Sequence, residues 1–180
     1  ARTNAIAQKF KQFCIDHGLI FKEKNYAHDR GTSFRTIFDQ EGRKELIKAW
    51  DTLSSGGVIQ GKQYLKMVKK LTPGLIEYGK KGALEHADTQ PPELQDPDLY
   101  LSFEDIRDKY YFKGNVESKW FEVLRFETNS ELFRDNDHLN DYLRHCWERD
   151  NNLESNIKIA PIHSVKGMEA DIVIVDSNWG

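Results

Sequence analysis

Near the end of the chain two β-branched runs stand on either side of a polar loop, and that arrangement restricts the fold more than anything else in the sequence. Residues 157–162 carry Ile157, Ile159 and Ile162; residues 172–175 are Ile172, Val173, Ile174 and Val175; between them lie His163, Ser164, Lys166, Gly167, Glu169 and Asp171. Short apolar runs of this kind suit strands covered on both faces, as in a parallel sheet, and their ends hand polar side chains to a loop. An α/β fold with a site just past a strand end is the expectation. In such a loop His163 and Ser164 can donate to phosphate, Gly167 lets the backbone approach a ligand closely, and Glu169 can accept from ribose hydroxyls. The plainer reading is a strand-to-strand connection without chemistry.

At the other end, Arg2-Thr3-Asn4 precedes Ile6, Phe10, Phe13 and Cys14 at helical spacing, and Gly18 stands where a left-handed residue would close the helix. Residues 19–23 follow as a short strand, and residues 25–39 lack a clear period and predict a loop. A helix is expected over 40–53, with Leu46, Ile47, Trp50 and Leu53 on one stripe, and Trp50 is a core residue on that pattern. Residues 56–63 spell the letters GxxxxGK of a phosphate-binding loop, but Gln63 stands where a magnesium-holding Ser or Thr is needed, and a helix, not a strand, comes first. That segment is therefore expected to be a turn between helices.

An amphipathic helix over 62–71 has Tyr64, Leu65, Val68 and Leu71 inside, with Lys62, Lys66, Lys69 and Lys70 among them. Those lysines suit either DNA phosphates or a solvated face. Residues 88–98, acidic and holding three prolines, form a linker. Ser102 with Asp105 predicts a capping box for a helix with Ile106, Tyr110 and Tyr111 on its apolar face. Two more helices are expected over 117–126 and 138–148, the latter with Leu139, Tyr142, Leu143, Cys146 and Trp147 inward.

Composition sets the outer limits. Residues 1–86 hold 16 Lys+Arg against 9 Asp+Glu, whereas the remainder holds 10 against 20, so a net charge of -3 conceals a polarity. Such asymmetry fits a nucleic-acid-facing part joined to one that stays off the backbone, or simply solvated helix faces. Cys14 and Cys146 lie far apart in sequence without a metal-ligand pattern, and no apolar run approaches the roughly 20 residues of a membrane span, so a soluble cytoplasmic protein is the expectation. The chain opens without a methionine, as a piece of a longer protein would.

The ordered set His163, Ser164, Lys166, Gly167, Glu169 and Asp171, with Met168 in the usual leucine place, resembles motif V of superfamily 1 DNA helicases of the UvrD/Rep type. Pro161 stands two before the histidine where that family usually has threonine, so no contact of a threonine hydroxyl carries over. Arg2-Thr3-Asn4 before a helix is similar to the family's motif IV, in which such a segment closes a strand. The resemblance implies part of a RecA-like parallel sheet of the P-loop NTPase type, interrupted by a mainly α-helical insertion. Residues 1–57 would then begin the motor domain, 58–152 form the insertion, and 153–180 return to the motor domain.

It further implies that Arg2, Gly167 and Glu169 face ATP, Arg2 acting as the catalytic arginine, and that His163, Ser164 and Lys166 face single-stranded DNA. No metal ligand is implied within this chain. ATP and magnesium would serve the longer protein, whose partners are single-stranded and duplex DNA, and the chain by itself, monomeric and without its own phosphate-binding loop, would not hydrolyse ATP. Two other readings stay open: the helicase part of a helicase-nuclease in DNA repair, and a helical interaction module without nucleotide chemistry.

Overall fold

The computed structural model describes residues 2–24, 34–86 and 88–160, with only the backbone given for Arg2, Thr3 and Asn4. Two compact units divide the chain, one built from Ala1–Gln40 and Asn129–Gly180, the other from Glu41–Thr128.

In the first unit, helix α1 (Arg2–Asp16) leads to strand β1 (Lys22–Lys24), followed by β2 (Phe34–Thr36) and a 3-10 helix over Ile37–Gly42. The chain returns to this unit with α7 (Asn136–Arg149) and β5 (Lys158–Ile159). The sheet order is β2-β1-β5, with β1 antiparallel to β2 and parallel to β5 in the register Lys22 to Lys158 and Glu23 to Ile159. Gly18, at φ 59, closes α1: its N–H donates to the Ile15 carbonyl and the N–H of Leu19 to that of Cys14, the pattern of a Schellman cap. Asp135 caps α7 by accepting from the N–H of His138 at 2.8 Å. Cys14, Ile15, Ile20, Phe21, Leu139, Tyr142, Leu143 and Cys146 make the core of this unit.

The second unit comprises α2 (Arg43–Ser54), β3 (Ile59–Gln60), α3 (Gly61–Val68), α4 (Lys81–Glu85), a 3-10 turn (Pro92–Gln95), β4 (Tyr100–Leu101), α5 (Phe103–Lys109) and α6 (Trp120–Val123). Two β-α units face each other in it. Strands β3 and β4 pair antiparallel at Ile59 and Leu101, and each runs straight into a helix opened by a reciprocal capping box, Gln60 with Gln63 and Ser102 with Asp105. The core is aromatic: Trp50 packs against Phe103 and Phe112, and its indole N–H donates to the Ser118 carbonyl at 2.9 Å. Arg43, 1% exposed, donates to the Glu127 carbonyl at 2.8 Å, and burial lowers its pKa against the opposing pull of Glu41.

Several expectations change. Arg2 lies in the first turn of a helix, where the resemblance implied a strand end. Residues 34–39, expected to be loop, hold β2 and the start of the 3-10 helix, which Asp39 secures by accepting from both the N–H and the hydroxyl of Thr36, and residues 40–42, expected to begin a helix, finish that 3-10 turn. Phe10 and Phe13 of the expected α1 stripe are 39% and 53% exposed, because Cys14 and Ile15 are the residues α1 turns inward. Around Trp120 the helix is only four residues long. Tyr110 is buried as expected, but Tyr111 is exposed, the backbone having left the helix at φ 64.

The unit boundaries fall at 40/41 and 128/129, where the sequence reading put them at 57/58 and 152/153. Helix α2 goes with the second unit because Trp50 belongs to its aromatic core, and α7 with the first because Tyr142 donates to the Leu19 carbonyl at 2.8 Å.

Candidate functional site

The expected site loop begins immediately after β5, and the geometry that delivers the chain to it is well defined. Leu153, at φ 57 and buried, closes a turn onto the Asp150 carbonyl. Ser155 then fastens the incoming chain to the β1 side: its buried hydroxyl donates to the Ile20 carbonyl and accepts from the N–H of Ile157 at 3.0 Å. The N–H of Lys22 donates to the Ile157 carbonyl at 2.8 Å, and the parallel ladder follows. Since the strands are parallel, their carboxyl ends, Lys24 and Ile159, lie at the same end of the sheet. His163, Ser164, Lys166, Gly167 and Glu169 continue from that end but lie outside the described residues.

A five-residue connection, 17–21, joins α1 to β1, and the Lys11 ammonium meets the Glu23 carboxylate at 2.5 Å, so this part of α1 lies within side-chain reach of the strand. Arg2 stands nine residues earlier on the same helix. Its side chain is not among those described.

In the GxxxxGK look-alike a Cβ on Gly61, the second glycine of those letters, would come within 2.8 Å of the Leu94 carbonyl oxygen, so that glycine admits neighbouring protein, whereas one on Gly56, the first, would meet nothing within 4 Å. Of the four lysines on and just after α3, Lys66 lies 4.0 Å from Glu45 and Lys70 lies 3.2 Å from Glu41.

Titration shifts are structural in origin. Burial pushes the Cys146 thiol up to about 12, and also raises the Tyr142 and Tyr64 phenols and the Cys14 thiol. Among the described residues no group of three or more His, Cys, Asp or Glu side chains is placed to hold a metal ion, and no helix is long and apolar enough to cross a membrane.

No family model, curated protein or solved structure matches the chain. Sequence reasoning missed Ser155, whose hydroxyl anchors the approach to the loop, and the pair Lys11 and Glu23, which joins α1 to β1. No periodicity marks a single serine or an ion pair 12 residues apart.

Proposed function

We propose that the chain is part of the second motor domain of an ATP-dependent DNA helicase similar to the UvrD/Rep type, coupling ATP hydrolysis to single-strand translocation and duplex unwinding in a longer protein. The observation that carries this reading is the parallel pairing of β1 with β5, a strand whose sequence continues into His163 to Asp171 in the order of the family motif. Loops past the carboxyl ends of parallel strands line ligand crevices in open α/β sheets.

In this reading Arg2 stabilises charge on the transferring phosphoryl group through a planar guanidinium, while Gly167 and Glu169 approach the nucleotide. His163, Ser164 and Lys166 hold the backbone of single-stranded DNA. One short loop then touches both ligands, so a change at the nucleotide is felt at the DNA. Magnesium and the phosphate-binding loop belong to other residues of the longer protein, since Gln63 stands where the magnesium-holding Ser or Thr is needed.

The test is a pair of substitutions in the longer protein. Glu169→Ala removes a charged acceptor, worth about 1.5–3 kcal/mol, and is expected to raise the KM for ATP about tenfold or more. His163→Ala removes a neutral donor, worth about 0.5–1.5 kcal/mol, and is expected to weaken single-stranded DNA of any sequence with little change in that KM. The opposite pattern would reverse the assignment of the loop, and no effect from either would remove it.

A further inference from the structure

Two tyrosines of the second unit are displayed in a way its folding does not require. Tyr78, fully exposed, sits at the tip of a turn in which the Lys80 N–H donates to the Glu77 carbonyl at 3.0 Å and Gly79 takes φ 77. Tyr111 is 38% exposed and stands just past the end of α5 at φ 64, where glycine is the residue of low cost.

The two segments are held against each other by backbone. The N–H of Glu77 donates to the Tyr111 carbonyl at 3.0 Å and that of Lys113 to the Leu75 carbonyl at 2.8 Å, with Ile76 and Phe112 bridged antiparallel and buried beneath. Over this base the Lys80 ammonium lies 4.9 Å from the centre of the Tyr111 ring. Lys113 is exposed beside it, and Lys81 follows Lys80 with Glu85 at 3.5 Å.

Exposed rings on a rigid base, with ammonium groups around them, have the composition of a surface that stacks bases and tracks phosphates. We propose that Tyr78 and Tyr111 form a stacking platform for single-stranded nucleic acid, with Lys80, Lys81 and Lys113 set along its backbone. DNA is the form chosen because of the helicase reading, on which the proposal rests in that one respect. A polyanion fits the charge: three lysines stand here against Glu77 and Glu85. Aromatic faces accept any base, so binding without sequence preference is expected.

The experiment uses the whole 180-residue chain without nucleotide, read by fluorescence anisotropy with a labelled oligothymidylate of about 20 nucleotides, an abasic strand of equal length and a blunt duplex. The wild-type chain is expected to bind oligothymidylate about tenfold more tightly than the abasic strand. Tyr78→Ala should abolish that preference and Tyr78→Phe keep it. Lys80→Ala should reduce the salt dependence of binding by about one phosphate contact.

Tyr111→Gly separates display from folding, because glycine accepts φ 64: thermal stability should hold or rise while oligothymidylate affinity falls. Equal affinity for the abasic strand, unchanged affinity in Tyr78→Ala, tighter binding of the duplex, or no binding by the wild-type chain would each overturn the platform. The loop at 163–169 would hold phosphates, so it contributes equally to oligothymidylate and the abasic strand; loss of the preference between the two strands therefore reports on the platform, and loss of binding to both alike reports on the motor reading.

Discussion

The hydroxyl of Tyr142 donates to the carbonyl oxygen of Leu19 at 2.8 Å, joining α7 to the segment that enters β1 across 123 positions of sequence. The phenol is 2% exposed, so no water replaces it when the bond is lost. By this contact the chain that leaves for the second unit is returned to the first, and Ser155 a few residues later repeats the fastening on Ile20.

Tyr142→Phe keeps the ring and deletes the donor, leaving a carbonyl oxygen unsatisfied in the core. The expected loss of stability is about 1–2 kcal/mol, measured by urea unfolding of the isolated chain. A midpoint unchanged within error would mean that the Leu19 carbonyl has another partner.

Two glycine substitutions of the same chemistry are expected to act in opposite directions. In Gly61→Ala the new methyl meets the Leu94 carbonyl oxygen at 2.8 Å and its Cα at 3.1 Å, both backbone atoms, so the 3-10 turn must shift; a loss of about 1–3 kcal/mol is expected. In Gly82→Ala, within α4, the nearest contact is the His86 ring at 3.9 Å, and the variant should gain about 0.5–1 kcal/mol from helix propensity and a less free unfolded chain. Thermal melts of both variants beside the parent chain decide it, and a stabilised Gly61→Ala would refute the packing account of the look-alike loop.

Asp105 couples the α5 cap to pH. A hydrogen bond from Lys109, joined by those from the backbone and hydroxyl of Ser102, holds its carboxyl down at about 2. An unfolded aspartate titrates near about 3.9. Because the folded value is the lower one, the stabilisation is present above about pH 4 and is lost as pH falls toward 2. The difference in melting temperature between the parent chain and Asp105→Asn should therefore be largest near neutrality and shrink through that window. A difference that stays constant with pH would show that the carboxylate charge is not what the cap uses.

Much of the local structure was legible in advance, and the reason is the range of the forces involved. The stripe Leu46, Ile47, Trp50 and Leu53, the cap at Gly18 and the capping box of Ser102 with Asp105 depend on neighbours within one or two helical turns. Residues 34–39 were illegible because a three-residue strand and the start of a 3-10 helix leave no period long enough to detect. Tyr111 was misassigned to a helix face because the end of α5 is decided by burial of Phe112 against Ile76, 36 positions earlier. The residues of the loop at 163–169 were read wholly from sequence; of the expected site, the described structure contributes the strand that leads into the loop and the backbone of Arg2.

Sequence by itself determined the close of α1 at Gly18, the opening of α5 by Ser102 and Asp105, the apolar stripe of α2, and that a β-branched run at 157–162 leads into polar residues. Tertiary structure alone decided that β5 lies parallel to β1, that α2 belongs with the second unit and α7 with the first, and that a full arginine side chain, Arg43, is enclosed near the Glu127 carbonyl 84 positions away. Periodicity and capping are encoded by adjacent residues, whereas strand partners and buried charges depend on which faces meet, and an apolar face is nearly indifferent to its partner until shape and hydrogen bonding select one.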